Sequence, residues 1–449
     1  MRQELYIREC YKTLYDHITK LFISESEVRR SNRLCIVGTS GIGKSSFFLY
    51  FILRLLSESK DPPIVIFHPR KGDWYAFGGT ATLRRGTGQE FGSFLLLPEI
   101  WYLADSPPNP EVDSVQATSL YSMSPKKYFS DHGDYQEIQK HGPHVYCMAP
   151  WDLDELEKCR KAVFPSLSVD IVMNLYSKIG GIPRYVLEVA QENIEEAAYI
   201  EEAAFRRIQQ ALDFIQDVPN LLQCIAQGKD SLHYSSRLLH QWPDPNDPKV
   251  FIVRWASSYI EEKVLEALKE ESWAYLLRDL IYSNKVNRGM LFELYVLHIF
   301  RKGGYTFEIK ELFGEKKIGE LQVPDKPTTK HFRKTKDLNI GITGKDLLIP
   351  EIPNFPCIDL ILGPNKLLQV TVTGDHPLRQ NHMKEIATTL RATALEVYFV
   401  VPGSIYDDFK PQNFLNEKGG ISGNVPSIVR DIKQYALKVD LNTGASPGL

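Results

Sequence analysis

Residues 38–45 constrain this chain more than any other segment, because they match the phosphate-binding pattern G-x-x-x-x-G-K-[ST] in full. The apolar run 34–37 precedes them, and the largely apolar run 46–53 follows. A buried strand is therefore expected to lead into this loop, and a helix to leave it with its N-terminal amides facing phosphates. The pattern predicts an α/β fold with a parallel sheet that binds a nucleoside triphosphate.

The side chains of this phosphate loop have separate predicted roles. Glycines let the backbone curl so that successive N–H groups surround an anion. Lys44 is expected to reach the β- and γ-phosphates of ATP, and the Ser45 hydroxyl to ligate Mg²⁺. The alternative is a glycine-rich turn that happens to contain a lysine.

Composition restricts the class of protein only broadly. The 449 residues suggest about three domain-sized units. The formal net charge of −3 gives no global field that would attract nucleic acid or a membrane, so any such site must be local. The six cysteines show no paired spacing, and the N-terminus lacks the apolar core of a signal peptide. We therefore expect an intracellular protein that does not enter a membrane.

Three further strands are predicted in the first module, at 62–67, 100–105 and 114–124. The strand 100–105 ends in Asp105, the pattern of a Walker B carboxylate that holds Mg²⁺ through water. The simpler interpretation of Asp105 is the first residue of a turn. The strand 114–124 ends in hydroxyl side chains that suit a sensor of the γ-phosphate.

Helices are predicted from residue 151 onward, including a solvated lid at 192–224. Between them, Gly180-Gly-Ile-Pro-Arg184 places an arginine near a helix start, where it either reaches a phosphate or lies on the surface. A proline-rich loop is predicted at 241–248. We predict an N-terminal helix at 1–32, a P-loop NTPase core at 33–150, a helical lid at 151–227 and a second module at 228–449. The predicted nucleotide-binding residues are Gly38, Gly41, Gly43, Lys44, Ser45, Ser46, Asp105 and Arg184.

The second module contains an apolar helix at 288–304 whose one internal acid is Glu293. Two strands follow at 356–362 and 366–373, and a Gly-Pro-Asn turn between them predicts a hairpin. Strand alternation then places Gln369 and Thr371 on one face, close to Asp359. This combination is typical of restriction-endonuclease-like nucleases, which hold Mg²⁺ beside a scissile phosphate.

Glu293, Asp359 and Gln369 are the predicted metal ligands of this module, since Mg²⁺ prefers hard oxygen ligands. The usual acid and lysine of a (D/E)-x-K pair are replaced by Gln369 and Thr371. The cation that stabilises the transition state would then come from another basic residue. The candidates are Lys366, Lys384 and Arg379. In the alternative interpretation, Asp359 and Gln369 only satisfy the hairpin.

Two other segments have an open interpretation. The run 326–336 carries five Lys or Arg residues without an acid, so it either tracks a phosphate backbone, acts as a nuclear address or forms a solvated loop. His141, His144 and Cys147 have a spacing that resembles a zinc cluster, but a fourth ligand is missing.

Several of these motifs, in this order, resemble the Crinkler and retrotransposon-hot-spot (RHS) proteins. The resemblance rests on the phosphate loop, the strand ending in Asp105, and the segments 180–184, 231–240, 358–360 and 368–377. It implies an AAA-like P-loop NTPase joined to a restriction-endonuclease-like domain. It further implies ATP-coupled DNA cleavage, with Lys44, Ser45 and Asp105 on the nucleotide and the three ligands named above on the metal. Many members are secreted effectors that enter a host nucleus.

The chain departs from that family in two places. About thirty residues precede the NTPase, where effector members usually carry a ubiquitin-like header, and this argues against secretion. Ser106 stands where many related ATPases have a glutamate that orients the attacking water.

We therefore expect an ATP-regulated, Mg²⁺-dependent DNA nuclease that acts in a nucleus, with host or nuclear proteins as further partners. The alternative is a non-cleaving ATP switch that binds nucleic acid or protein through a degenerate nuclease fold. A small-molecule kinase is a third possibility, for which the sequence offers no acceptor pocket.

Overall fold

The computed structural model describes residues 4–24, 31–58, 60–78, 83–107, 109–113, 115–124, 134–195, 197–213, 237–243, 251–268, 273, 276–277, 280, 288–314, 317–338, 341–351, 355–390, 394–417 and 419–441. The chain divides into two compact units. The first comprises Met1–Phe214 and Gly228–Ala256, and the second Ile215–Gln227 and Ser257–Leu449. The sequence assigned 228–256 to the second module, whereas here these residues group with the first.

The first unit is built on a mostly parallel sheet, in the order β4-β3-β2-β5-β6-β1-β7, and a separate hairpin. Its strands are β1 (Arg33–Val37), β2 (Val65–His68), β3 (Trp74–Phe77), β4 (Leu83–Gly86), β5 (Trp101–Asp105), β6 (Thr118–Met123), β7 (His144–Cys147) and the hairpin strands β8 (Leu239–Pro243) and β9 (Phe251–Trp255). Strands β2, β5, β6, β1 and β7 run parallel, and β3 and β4 add an antiparallel edge. The predicted parallel α/β sheet is thus confirmed.

Helices surround this sheet. They are α1 (Glu9–Thr19), α2 (Lys44–Glu58), α3 (Gly88–Phe91), α4 (Asp134–Lys140), α5 (Leu153–Val163), α6 (Val169–Ile179), α7 (Ala190–Glu192) and α8 (Ala197–Asp213), with π-helical turns at Lys20–Ser24 and Arg184–Val189 and a 3₁₀ turn at Gly92–Leu96. Strand β1 is buried along its whole length, which explains the apolar run at 34–37. The Asp152 side chain caps α5 by accepting the Glu155 N–H at 2.7 Å.

The second unit contains an eight-stranded mixed sheet in the order β11-β10-β19-β17-β15-β14-β13-β12, and a small pair β16-β18. Its strands are β10 (Thr306–Glu311), β11 (Ile318–Gln322), β12 (Thr328–Phe332), β13 (Asp346–Pro350), β14 (Leu360–Leu362), β15 (Lys366–Val370), β16 (Leu378–Arg379), β17 (Glu396–Pro402), β18 (Phe414–Leu415) and β19 (Lys433–Val439). Its helices are α9 (Ser258–Ala267), α10 (Arg288–Lys302), α11 (Gln380–Leu390), α12 (Gly403–Tyr406) and α13 (Ser427–Arg430), with a 3₁₀ turn at Thr335–Leu338.

The central hairpin of this unit agrees with the sequence-based prediction. Strands β14 and β15 pair antiparallel with Leu360 opposite Leu368, and Gly363 has the positive φ of 62° that the turn needs. Helix α10 packs on β15 and ends at two glycines of positive φ, Gly303 and Gly304. The sheet and its helices confirm an α/β second unit, while its kinship with restriction endonucleases stays a prediction.

Three predictions about individual segments differ from the structure or lie partly outside it. Gln241 and Trp242 belong to β8 and not to a loop, and 244–250 lie outside the described residues. The predicted lid helix 192–224 contains α8 at Ala197–Asp213, residues 193–195 form a turn, and the part after residue 213 lies outside the described residues. The basic run 326–336 contains strand β12, which lies at one edge of the sheet. Each residue of β12 pairs with a residue of β13.

Gly180 is a position of the first unit at which backbone space is restricted. It ends α6 with φ of 71°, and an added Cβ would overlap the Ala256 carbonyl oxygen. We expect Gly180→Ala to lower the free energy of unfolding by about 3 kcal/mol or more, since both left-handed strain and a backbone clash oppose it. Gly72→Ala is the matched control, because Gly72 has φ of 94° but open space around it. Its expected cost is about 1 kcal/mol. Equal losses for both variants in urea unfolding would contradict the clash.

Candidate functional site

The phosphate loop leaves the carboxyl end of β1, between β6 and β7, and enters α2 at Lys44. Gly41 and Gly43 have positive φ angles of 89° and 101°. A Cβ at Gly38 would lie 2.7 Å from the Met148 carbonyl oxygen. Only glycine fits these conditions without strain, which accounts for the glycine spacing of the motif.

Lys44 is the buried cation of this loop, with 8% of its surface exposed. Its Nζ donates to the carbonyl oxygens of Gly38 at 2.6 Å and Thr39 at 2.9 Å. Burial lowers the pKa of Lys44 to about 8, Asp105 opposes this shift and Arg184 adds to it. The structure therefore brings Asp105 and Arg184 within electrostatic reach of Lys44.

Asp105 lies at the carboxyl end of β5, directly beside Ser122 of β6. The Ser122 hydroxyl donates to Asp105 Oδ1 at 2.6 Å, which fixes the carboxylate at the sheet edge. Ser106 has φ of 49°, and its hydroxyl donates to the Ser122 carbonyl oxygen at 2.7 Å. Ser122, predicted as a sensor of phosphate, thus orients the predicted Walker B acid.

The other predicted nucleotide ligands lie on the same side of the first unit. Arg184 follows Pro183 at the start of a π-helical turn, and its Cβ would be 3.2 Å from a Cβ added at Gly41. Ser45 is exposed at the start of α2, and Ser46 is half-buried. The predicted residues 38–46, Asp105 and Arg184 therefore form one cluster around the loop.

In the second unit, Asp359 is fixed by the hairpin that carries it. Its Oδ2 accepts the Gln369 side-chain N–H and the Val370 backbone N–H, both at 2.6 Å. Gln369 is 7% exposed, and its Oε1 has no hydrogen-bond partner among the described residues. A buried carbonyl oxygen without a donor is costly, so this atom suits an external ligand such as a cation.

Glu261 of α9 joins these residues, although no sequence motif predicts it. Burial raises the pKa of Glu261 well above its usual range, and the charges of Glu293 and Asp359 raise it further. Carboxylates that raise one another's pKa must lie close together. Glu261 escaped prediction because acids on an amphipathic helix normally face solvent.

The geometry of this acidic group is looser than that of a finished metal centre. Glu293 is exposed on α10, and Thr371 donates or accepts a hydrogen bond with Thr373 at 3.0 Å. Among the described residues, no three His, Cys, Asp or Glu side chains stand close enough to hold a metal ion. His141, His144 and Cys147, whose spacing resembles a zinc cluster, form no such set either. The Gln369 side chain, which binds Asp359 through its N–H, adds one further oxygen that lacks a hydrogen-bond partner among the described residues.

The structure separates the candidates for the missing cation. Lys366 contacts Asn365 Oδ1 at 3.4 Å at the turn end of the hairpin, and Lys384 is exposed on α11. Arg379 is linked to Asp359 through Cys357. The Arg379 backbone N–H donates to Cys357 Sγ at 3.1 Å, and the charges of Arg379 and Asp359 both act on the pKa of that thiol. The charge of Arg301, which the sequence analysis did not single out, opposes the rise in the pKa of Glu261.

The basic run contributes fewer free charges than its sequence predicts. Lys330 contacts the buried Asp346 at 2.8 Å, and Arg333 forms an ion pair with Glu351. His331 Nε2 lies 2.5 Å from Glu262 Oε1. These pairs hold β12 to its own unit, so the run serves structure as well as charge.

The His331–Glu262 pair should make stability depend on pH. The hydrogen bond to Glu262 raises the pKa of His331 above 6.5. Burial of Glu262 raises its pKa, but the hydrogen bond to His331 and the charges of His331, Arg301 and Lys263 together lower it below 4.5. The histidine contribution is complete below pH 6.5 and is lost as the pH rises through the raised pKa. The glutamate contribution is present above pH 4.5 and is lost as the pH falls through the lowered pKa. We expect His331→Gln to cost about 1 kcal/mol at pH 5.5 and almost nothing at pH 9 in urea unfolding. A cost that is the same at both pH values would contradict the ion pair.

Comparisons with known proteins give relatives at low identity. No family model matches the chain. Crinkler effector protein 15 of Phytophthora infestans is 22% identical over 457 aligned residues, covering 98% of this chain and 67% of its own length. Crinkler effector protein 16 of the same organism is 22% identical and aligned over 98% of this chain and 66% of its own length. The chain is therefore homologous, at low identity, to Crinkler effectors over almost all its length. It spans about two thirds of each relative.

One solved structure gives only a weak likeness. The crystal structure of Cdc6p from Pyrobaculum aerophilum covers 66% of this chain and 93% of its own, with a TM-score of 0.29 and 11% identity. Within the described part of the chain, no helix has both the length and the apolar character needed to cross a membrane.

The two Crinkler relatives confirm the Crinkler part of the resemblance at low identity. The RHS and nuclease parts stay predictions.

Proposed function

We propose that the first unit binds ATP with Mg²⁺ and that the second unit is a DNA nuclease regulated by that nucleotide, in a Crinkler-type effector. The observation that carries the proposal is the position of Lys44. Its buried ammonium group is held by the Gly38 and Thr39 carbonyl oxygens, within electrostatic reach of both Asp105 and Arg184. A cation, an acid and an arginine around a glycine loop provide the charges that a magnesium–triphosphate ligand requires.

Different residues of the first unit would bind the phosphates and the Mg²⁺ ion. Lys44 would exchange its two carbonyl partners for phosphate oxygens, and the amides at the start of α2 would face the same phosphates. The exposed Ser45 hydroxyl and Asp105, which Ser122 holds in place, are the oxygens that would take Mg²⁺. Arg184 beside Gly41 would neutralise remaining phosphate charge.

Removal of the Lys44 ammonium group tests nucleotide binding. We expect Lys44→Ala to weaken ATP binding at least about 100-fold in calorimetry, because a charged hydrogen-bond donor to two phosphates is lost. Lys60→Ala is the control, since that exposed lysine lies two residues beyond the end of α2 and away from the loop. ATP binding by Lys44→Ala at the wild-type affinity would remove the basis of the proposal.

The second unit supports a metal-dependent nuclease through Asp359, Glu293 and Gln369. When bound, Mg²⁺ neutralises the scissile phosphate and lowers the pKa of a bound water. Asp359 is oriented for such an ion by the Val370 N–H, and Gln369 offers the unpartnered Oε1 beside it. Exposed Glu293 would supply a second carboxylate from α10. Lys384 and Arg379 are the proposed sources of positive charge at the DNA backbone, with Arg379 nearer to Asp359.

Glu293 is the most direct residue on which to test cleavage, since it is exposed and its replacement leaves the core intact. We expect Glu293→Gln to reduce Mg²⁺- or Mn²⁺-dependent cleavage of duplex DNA at least about 100-fold, while thermal unfolding stays unchanged. Glu320→Gln is the matched control, because Glu320 is also an exposed glutamate and lies on the edge strand β11. Undiminished cleavage by Glu293→Gln, or cleavage that persists in EDTA, would contradict the proposed site.

A second function is favoured by one observation, the pair of 2.6 Å hydrogen bonds that hold Asp359 in its hairpin. A carboxylate oxygen that already accepts two N–H groups of its own hairpin favours a domain that binds DNA or protein without cutting it. Asp359→Ala distinguishes the two functions when it is assayed with duplex DNA, Mg²⁺ and ATP. Cleavage lost on substitution supports the nuclease, whereas binding without cleavage in the wild-type protein supports the switch.

The place of action and the partners follow from this proposal. The homology to proteins named Crinkler effectors favours action on a host, and a nuclease acting on DNA would work in a nucleus. Nucleic acid is the proposed partner of the second unit, with host or nuclear proteins as further partners.

A further inference from the structure

Two residues of the N-terminal segment contact the phosphate loop from behind, on the side of its carbonyl oxygens. Tyr11 Oη donates to the Gly43 carbonyl oxygen at 2.6 Å. Arg8 Nη1 donates to the Ile42 carbonyl oxygen at 3.4 Å, which also accepts the Trp151 indole N–H at 2.8 Å. Nothing in the loop motif requires these residues, which lie more than 30 positions earlier in the chain.

Arg8 is held too firmly to be an incidental neighbour. It is 3% exposed, and its guanidinium donates to both carboxylate oxygens of Glu155 at 2.7 Å. It also donates to the Ala149 carbonyl oxygen at 3.1 Å and lies over the Trp151 ring, 4.7 Å from its centroid. A buried guanidinium with a bidentate partner has little freedom to move, so it is a rigid support.

Tyr11 is equally fixed. It is 1% exposed, and its ring lies 5.6 Å from the ring of Phe47 in an edge-on arrangement. The Gly43 carbonyl oxygen that it binds also accepts the Phe47 N–H in the first turn of α2, at 3.0 Å. A Cβ at Gly43 would overlap the Tyr11 hydroxyl. The third glycine of the motif is therefore needed for Tyr11 as well as for its own φ angle.

The planarity of the peptide bond gives these contacts a consequence at the opposite side of the loop. In a trans peptide the C=O and the following N–H point in opposite directions. Fixing the Ile42 carbonyl oxygen toward Arg8 and Trp151 therefore turns the Gly43 N–H away from them. Fixing the Gly43 carbonyl oxygen toward Tyr11 does the same for the Lys44 N–H. In a phosphate loop these N–H groups face the phosphates.

We infer that Arg8 and Tyr11 are positioning residues that preorganise the Gly43 and Lys44 amides for phosphate binding. The inference rests on the proposed nucleotide binding of the first unit. A loop without these contacts must be ordered by the ligand, and this ordering reduces the affinity. The expected change in affinity concerns the phosphate groups of the ligand, because both amides belong to the phosphate loop.

The test uses the full chain and two probes, ATP and inorganic pyrophosphate, measured by calorimetry with Mg²⁺. Tyr11→Phe removes one hydroxyl and is expected to weaken both ligands about fivefold, the equivalent of one hydrogen bond. Tyr15→Phe is the matched control, since its hydroxyl bonds to Glu58 at 2.9 Å, one turn further along α1 and away from the loop. It is expected to leave both affinities unchanged. Any ATP hydrolysis should show a raised KM with kcat unchanged for Tyr11→Phe.

Arg8 provides an independent arm of the same test. Arg8→Met is expected to weaken both ligands more than Tyr11→Phe does, and Arg8→Lys to recover part of the loss, because it restores one donor. Thermal unfolding of each variant identifies any that fails to fold, and Tyr11→Phe remains informative in that case. Wild-type affinity in Tyr11→Phe, or the same loss in Tyr15→Phe, overturns the inference while leaving nucleotide binding in place. A wild-type protein that binds neither ATP nor pyrophosphate overturns the proposed function itself.

Discussion

The first unit depends on the burial of a single ammonium group, that of Lys44. A buried cation is costly unless hydrogen-bond acceptors surround it, and here the loop supplies two carbonyl oxygens of its own. Those carbonyls can turn inward only because glycines allow the loop to curl at the end of a fully buried strand. The same curl leaves Asp105 and Arg184 around the lysine. The glycine spacing of the loop and the charges around it are therefore both linked to the burial of Lys44.

The second unit is governed by an opposite balance, an excess of negative charge at one place. Glu261, Glu293 and Asp359 come from two helices and a hairpin, and burial together with the charges of the other two acids raises the pKa of Glu261. Proteins tolerate such crowding where a cation or a proton relieves it. Here the hairpin relieves part of it, since two N–H groups bind one oxygen of Asp359. This explains why a glutamine at position 369 is compatible with the fold.

Local features of both units could be predicted from sequence, and contacts between distant segments could not. Strand β1, the phosphate loop, the start of α2 and Asp105 were predictable because each depends on neighbouring residues. The turn of the β14–β15 hairpin was predictable for the same reason, through Gly363. The Tyr11–Gly43 contact has no sequence signal, since any aromatic residue in an amphipathic helix can face a core. Gln241 was assigned to a loop because the prolines around it outweighed its pairing with Val253 of β9.

The hydrogen bond between Thr39 and Gln241 has a consequence for how the protein is made. The Gln241 backbone N–H donates to the Thr39 hydroxyl at 3.0 Å, across 202 positions of sequence. Contacts of such separation form late, after the entropy of closing a long loop has been overcome. During synthesis, the motif at residues 38–45 leaves the ribosome early, but the hydrogen bond to Thr39 forms only after the strand that carries Gln241 has been made. A nascent chain that stops before that strand contains the complete motif but lacks the hydrogen bond from Gln241 to Thr39.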